Sequence, residues 1–191
     1  MQHQRGFTLA EVLITMGIIG VVAALTIPSM STAYQKRVLT TQLQKSFAEM
    51  SHAAGMVIAD EVTNDFINSK AMRNDRFMGK YLNVGNINYN YQSVLASTYE
   101  SVDPAWEYYN GYSPSDILGS NYTCGKMKSG AAVCLNRGGY GFLDVNGGDK
   151  APNQIGRDAF LITFRKNGSL HPYDPFLTNI MSNDWDLDSA H

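Results

Sequence analysis

A chain of 191 residues has room for one domain and an appendage, and is too short for two independent catalytic domains. Its net charge of −2, with only 17% charged residues against 44% hydrophobic, offers no general attraction for nucleic acid or for anionic lipid headgroups. Two cysteines and four scattered histidines form no four-ligand spacing, which excludes a zinc site built on the sulfurs.

The first element is apolar. From Phe7 to Met30, Glu11 is the sole charge, and no Lys or Arg lies between Arg5 and Lys36. A run of this length and composition spans a bilayer as a helix, and Arg5 favours a cytoplasmic N-terminus with the bulk of the chain outside. Glu11 is then anomalous, because a carboxylate in a membrane helix is costly unless it is paired, and such residues usually mark function. A cut between Gly6 and Phe7 would create an amino group one helical turn from Glu11, on its own chain or on a neighbour. In low dielectric that cation would satisfy the carboxylate far better than it could in water.

The segment MQHQRG followed by FTLAEVLITMGIIGVVAALTIP resembles the class III signal of type IV pilins and pseudopilins. The features that match are a short basic leader, Gly6 before the cut, Phe7 as first mature residue, Glu11 five residues into the mature chain and Pro28 twenty-two residues in. The resemblance implies that a membrane prepilin peptidase cuts after Gly6 and N-methylates Phe7. It also implies that Glu11 neutralises the Phe7 amine of an adjacent subunit and so fixes axial register, and that like or related pilin subunits, an inner-membrane assembly platform and an ATPase are partners. A conventional secretory signal, with an apolar core near Val12 to Ile27 and a cut around Ser31 to Ala33, is the main alternative, and a plain single-pass anchor is the second. Glu11 and the Gly6–Phe7 junction argue against the first, and the second leaves Glu11 unexplained.

Downstream of Pro28, the positions Tyr34, Val38, Leu43, Phe47, Met50, Ala54 and Val57 recur at helical spacing and predict a continuing amphipathic helix to about Glu61. The whole helix would run about 80 Å, with a kink or local melting where Pro28 removes a donor. The expected organisation is a leader at 1–6, a transmembrane and assembly helix at 7–30, an amphipathic helix at 31–62 and a head at 63–191.

Between Lys80 and Lys126 no basic residue occurs, Tyr and Asn abound and periodicity fails, which suggests a surface-rich αβ region. Trp106, Tyr108, Tyr109 and Tyr112 there are either a contact surface or partly buried packing. Cys124 and Cys134 suggest a single bridge if the head lies outside the cytoplasm, and two free thiols if it does not. Ala132 to Leu135, Tyr140 to Val145 and Ala159 to Arg165 read as strands, with Asn167–Gly168 as a hairpin turn. The expected fold is therefore α+β, a long N-terminal helix packed on a C-terminal antiparallel sheet, which is also the pilin-like fold that the resemblance implies.

The loop from Asp144 to Asp158 gathers hard oxygens among glycines. Asp144, Asn146, Asp149 and Asp158 could hold calcium, although the spacing is not that of an EF-hand; the competing reading is a loop ordered by its own Asx-turns. The loop loosely resembles calcium-bearing loops of secretion pseudopilins. His52 and His171 have no Ser or Cys setting that spacing links to a triad, and no phosphate-cradling Gly loop occurs. The chain thus reads as a filament subunit in the bacterial inner membrane and then in a periplasmic or extracellular filament, with membrane lipid as a further partner. A low-copy minor pilin whose head binds a surface, substrate or DNA is the alternative.

Overall fold

The computed structural model describes residues 7–74, 76–102, 113–119 and 121–190. Two compact units divide the chain, 1–38 and 39–191. Helix α1, Leu9–Glu61, crosses that division and ends where the sequence reading placed the end of its long helix.

In the first unit α1 is apolar from Val12 to Met30 and almost wholly exposed there, with Leu13, Ile14, Ile18, Ile19 and Leu25 all open to the surroundings. It is the one helix among the described residues long and apolar enough to cross a membrane. The helix assignment runs unbroken through Pro28, so the local melting that was one expectation at the proline does not occur. The proline removes a single donor, while the Thr32 hydroxyl donates to the Pro28 carbonyl oxygen at 3.1 Å and the Thr26 hydroxyl to the Val22 carbonyl at 2.9 Å.

In the second unit the rest of α1 buries Leu39, Leu43, Ser46, Met50, Ala53, Ala54 and Val57. Steps of three and four residues put these on one face, and each fully buried Leu, Met or Val contributes about 2 kcal/mol by leaving water. The expected stripe is therefore shifted. Tyr34 is 70% exposed and Phe47 only partly buried, while Leu39, Ser46 and Ala53 join the face. Among the described residues every member of the hydrophobic core lies at or after Leu39, so the second unit carries a core of its own.

That core is closed by a sheet in the order β1 (Gly85–Asn88), β3 (Tyr122–Lys126), β4 (Ala132–Asn136), β5 (Tyr140–Asp144), β7 (Ala159–Phe164), β6 (Gln154–Ile155) and β2 (Glu100–Ser101), with β8 (Leu170–Pro172) also on β7. Most pairs are antiparallel as expected, but β2–β6 and β6–β7 are parallel. The Asn167–Gly168 turn forms as the sequence indicates. Gly168 adopts φ +77, and Asn167 Oδ1 accepts from the Ser169 amide and hydroxyl. A Cβ on Gly168 would stand 2.5 Å from Ile58 Cδ1, so glycine is also what lets this hairpin approach α1. Phe66, Phe77 and Phe164 stack mutually with ring centroids 4.9–5.5 Å apart beneath it.

Short helices complete the second unit. α2 (Lys70–Arg73) is capped by Ser69 and by the Glu61 carboxylate, which accepts from the Lys70 and Ala71 amides at 2.7 and 2.8 Å. α3 is Pro114–Leu118, and α4, Pro175–Ser182, closes the chain's regular structure but for a final 3-10 turn.

Candidate functional site

The residues singled out at the N-terminus meet at the start of α1. Phe7 is non-helical and exposed, Leu9 is the first helical residue, and Thr8 stands at the cap. Oε2 of Glu11 accepts from the Thr8 amide at 2.8 Å and from the Thr8 hydroxyl at 2.8 Å, while the Glu11 amide donates back to Thr8 Oγ1 at 3.3 Å. The Val12 amide closes the first turn on the Thr8 carbonyl at 3.2 Å. These bonds make a complete capping box, in which two orphan amides at a helix start are satisfied reciprocally and a carboxylate sits at the positive end of the helix dipole.

Sequence reasoning passed over Thr8, although Thr-x-x-Glu before an apolar run is a recognised helix-start signature. Glu11 therefore has a partner on its own chain beyond the amine that a cut would create. Gly6, the residue before that cut, lies outside the described residues. Thr15 donates to the Val12 carbonyl at 3.0 Å, so this hydroxyl too is satisfied within the helix, as a lipid environment requires.

In the second unit Cys124 and Cys134 form a disulfide. They face each other in register across β3 and β4 with Cα atoms 4.0 Å apart, and both are buried.

Of the four oxygen donors proposed for calcium, Asp144, Asn146 and Asp158 are neighbours and Asp149 stands apart. Asp149 is 78% exposed along its side chain and pairs with Lys126, whereas Asp144 and Asp158 are fully buried and turned onto amides of their own loop. Asp144 Oδ1 accepts from the Asn146 and Gly147 amides at 3.2 and 2.8 Å; Asp158 accepts from the Asn153 and Gln154 amides at 2.9 and 2.7 Å. Asn146 spends its amide group on the Ala151 carbonyl at 3.2 Å. Carboxylates that receive N–H groups in this way order a loop by Asx-turns, the competing reading, while the Asn146 and Asn153 side-chain oxygens are buried without a hydrogen-bond partner. Among the described residues no three His, Cys, Asp or Glu side chains are arranged to hold a metal ion.

Burial pushes the Asp144 carboxyl up to about 7 against the pull of the Tyr99 hydroxyl and the loop amides, with Asp158 adding to the rise. Asp158 is raised as well, chiefly by burial. Asp174 is pushed up to about 7 by burial although the Leu177 and Leu161 amides pull the other way. All three carboxylates are buried.

His171 Nε2 lies 2.9 Å from Ser169 Oγ, a pairing that spacing had not suggested. The Ser169 hydroxyl also reaches Asn167 Oδ1 at 2.7 Å, so the hydroxyl hydrogen has a better acceptor than a catalytic base and the group belongs to the hairpin turn. Trp106, Tyr108, Tyr109 and Tyr112, the proposed aromatic contact surface, lie outside the described residues.

Residues 1–27 match the family model described as prokaryotic N-terminal methylation motif. No curated protein and no solved structure matches the chain. The matched residues are those that hold the capping box and most of the exposed apolar helix, which fits membrane anchoring. Over residues 1–27 the chain carries the type IV pilin and pseudopilin signal.

Proposed function

We propose that this protein is a structural subunit of a type IV pilus or of a type II secretion-like pseudopilus. Prepilin peptidase cuts after Gly6 and methylates the Phe7 amine. The mature chain waits in the inner membrane with its head outside the cytoplasm, and an assembly platform and ATPase then draw it into a filament. There the apolar helices bundle, each Glu11 pairs with the Phe7 amine of a neighbouring subunit, and the heads form the outer surface.

The observation that carries this reading is the coincidence of the methylation motif with an apolar helix that exposes nearly all its side chains. An isolated helix of this kind has no reason to be stable in water, and burial among copies or in lipid supplies the missing apolar surroundings. The disulfide supports a head in an oxidising compartment.

Co-expression with an active prepilin peptidase tests the reading. The chain should shorten by its leader, and in its native cells the mature form should appear in the sheared filament fraction. A chain that keeps its full length beside the active peptidase contradicts the proposal, and so does a mature form confined to the membrane while filaments are present.

A further inference from the structure

Glu11 divides its two carboxylate oxygens. Oε2 accepts both Thr8 donors at 2.8 Å, while among the described residues Oε1 accepts no hydrogen bond. A carboxylate has about four lone-pair sites, so the side chain held by Thr8 keeps one whole oxygen for another donor. Left unheld in lipid, a Glu side chain this near a helix end would sample several rotamers and turn toward the interface. The Thr8 amide gives Oε2 one bond whatever side chain stands there, and the Thr8 hydroxyl removes the remaining freedom because it bonds Glu11 in both directions: its hydrogen goes to Oε2 and its oxygen receives the Glu11 amide.

We propose that Thr8 is the positioning residue for Glu11 in filament assembly: it pins Oε2 on its own chain and so leaves Oε1 preset as the acceptor for the Phe7 amine of the incoming or preceding subunit. One carboxylate then serves a cap in cis and an ion pair in trans together, and pairing does not require the cap to break. Rotamer freedom is lost before assembly, when the helix forms, and not at the moment two subunits meet. The proposal rests on the filament-subunit reading and adds to it a residue and an atom-level division of labour.

The test uses full-length precursor in its native cells, scored as filament-incorporated protein per processed subunit. Thr8→Val keeps the shape and loses the hydroxyl, and should lower incorporation about tenfold, the order expected when a long side chain's preset rotamer is lost. Thr8→Ser, which keeps the hydroxyl and caps well, should restore it. Because Thr8 acts through Glu11, Thr8→Val/Glu11→Ala should be no worse than Glu11→Ala alone. Normal incorporation of Thr8→Val beside a defective Glu11→Ala overturns the role of Thr8 and leaves the subunit reading intact. A Thr8→Val defect that Thr8→Ser does not repair, or that adds to Glu11→Ala, also overturns it. Normal incorporation of Glu11→Ala itself refutes the pairing on which both rest.

Discussion

The hydroxyl of Tyr99 donates to Asp144 Oδ2 at 2.8 Å and accepts from the Ala96 amide at 3.2 Å, joining two residues 45 positions apart inside the core. Tyr99 lies just before β2, and Asp144 ends β5, so this one side chain ties the irregular segment around 94–101 to the loop that follows β5. The same loop is held from below where Gly148 donates to the Val94 carbonyl at 3.3 Å. Tyr99→Phe leaves the ring packed on Phe142 but strips a donor from a buried carboxylate and an acceptor from the Ala96 amide. Such losses destabilise by about 1–3 kcal/mol, and a lower midpoint in urea with an unchanged slope should show it.

Stability should fall as pH rises through neutrality. Asp144 and Asp174 stand at about 7 in the folded protein against 3.8 as ordinary aspartates, so between those values the folded state binds more protons than the unfolded one. Their contribution is fully present at the acid end of that window and lost as pH rises through about 7, the reverse of a salt-bridged carboxylate. Asp60, Asp65, Asp116 and Asp149 are held low by surface partners, stay ionised across it and do not oppose the effect. Thermal melts of the purified chain should give a melting temperature several degrees higher at pH 5.5 than at pH 8, and Asp174→Asn should reduce the difference.

The disulfide should resist reductant until the protein unfolds, because both cysteines are fully buried within the sheet. Alkylation after reductant treatment, followed by mass spectrometry, should leave the native chain unlabelled and add two labels in denaturant. Replacing both cysteines with alanine should cost about 3 kcal/mol by freeing the short loop in the unfolded state.

Val62 ends α1 in a left-handed conformation, φ 47, with 92% of its surface exposed, while the Thr63 amide reaches back to the Ile58 carbonyl at 3.2 Å. That is the Schellman arrangement, whose turning position favours glycine and penalises a β-branched side chain. Val62→Gly should therefore stabilise the protein by about 1 kcal/mol, seen as a higher denaturant midpoint. A fall in the midpoint would mean that the valine side chain contributes something its exposure does not show.

Strong local patterns made the helix, three central strands and the 167–168 turn legible in the sequence. Short apolar, β-prone runs such as Tyr140 to Asp144 and the Asn–Gly pair carry their structure in a few residues. β1 and β3 were not legible: Gly85–Asn88 is polar and exposed, Tyr122–Lys126 contains a glycine, and pairing with β4 makes each a strand. α4 was within reach, since Asp174 followed by Pro175 places a capping carboxylate before a first-turn proline. The Thr8 cap had an equally plain signature that the more conspicuous Glu11 obscured. The aspartate loop could not be judged from composition, because oxygen atoms around a cation and oxygen atoms around backbone amides look alike until the hydrogen bonds are traced.

The most direct test is mass spectrometry of the N-terminus of the protein isolated from its native membrane or filament. A cleaved prepilin should begin at N-methylated Phe7 and lack residues 1–6. A chain beginning at Met1, or one beginning near Ser31 without the apolar helix, would contradict the account.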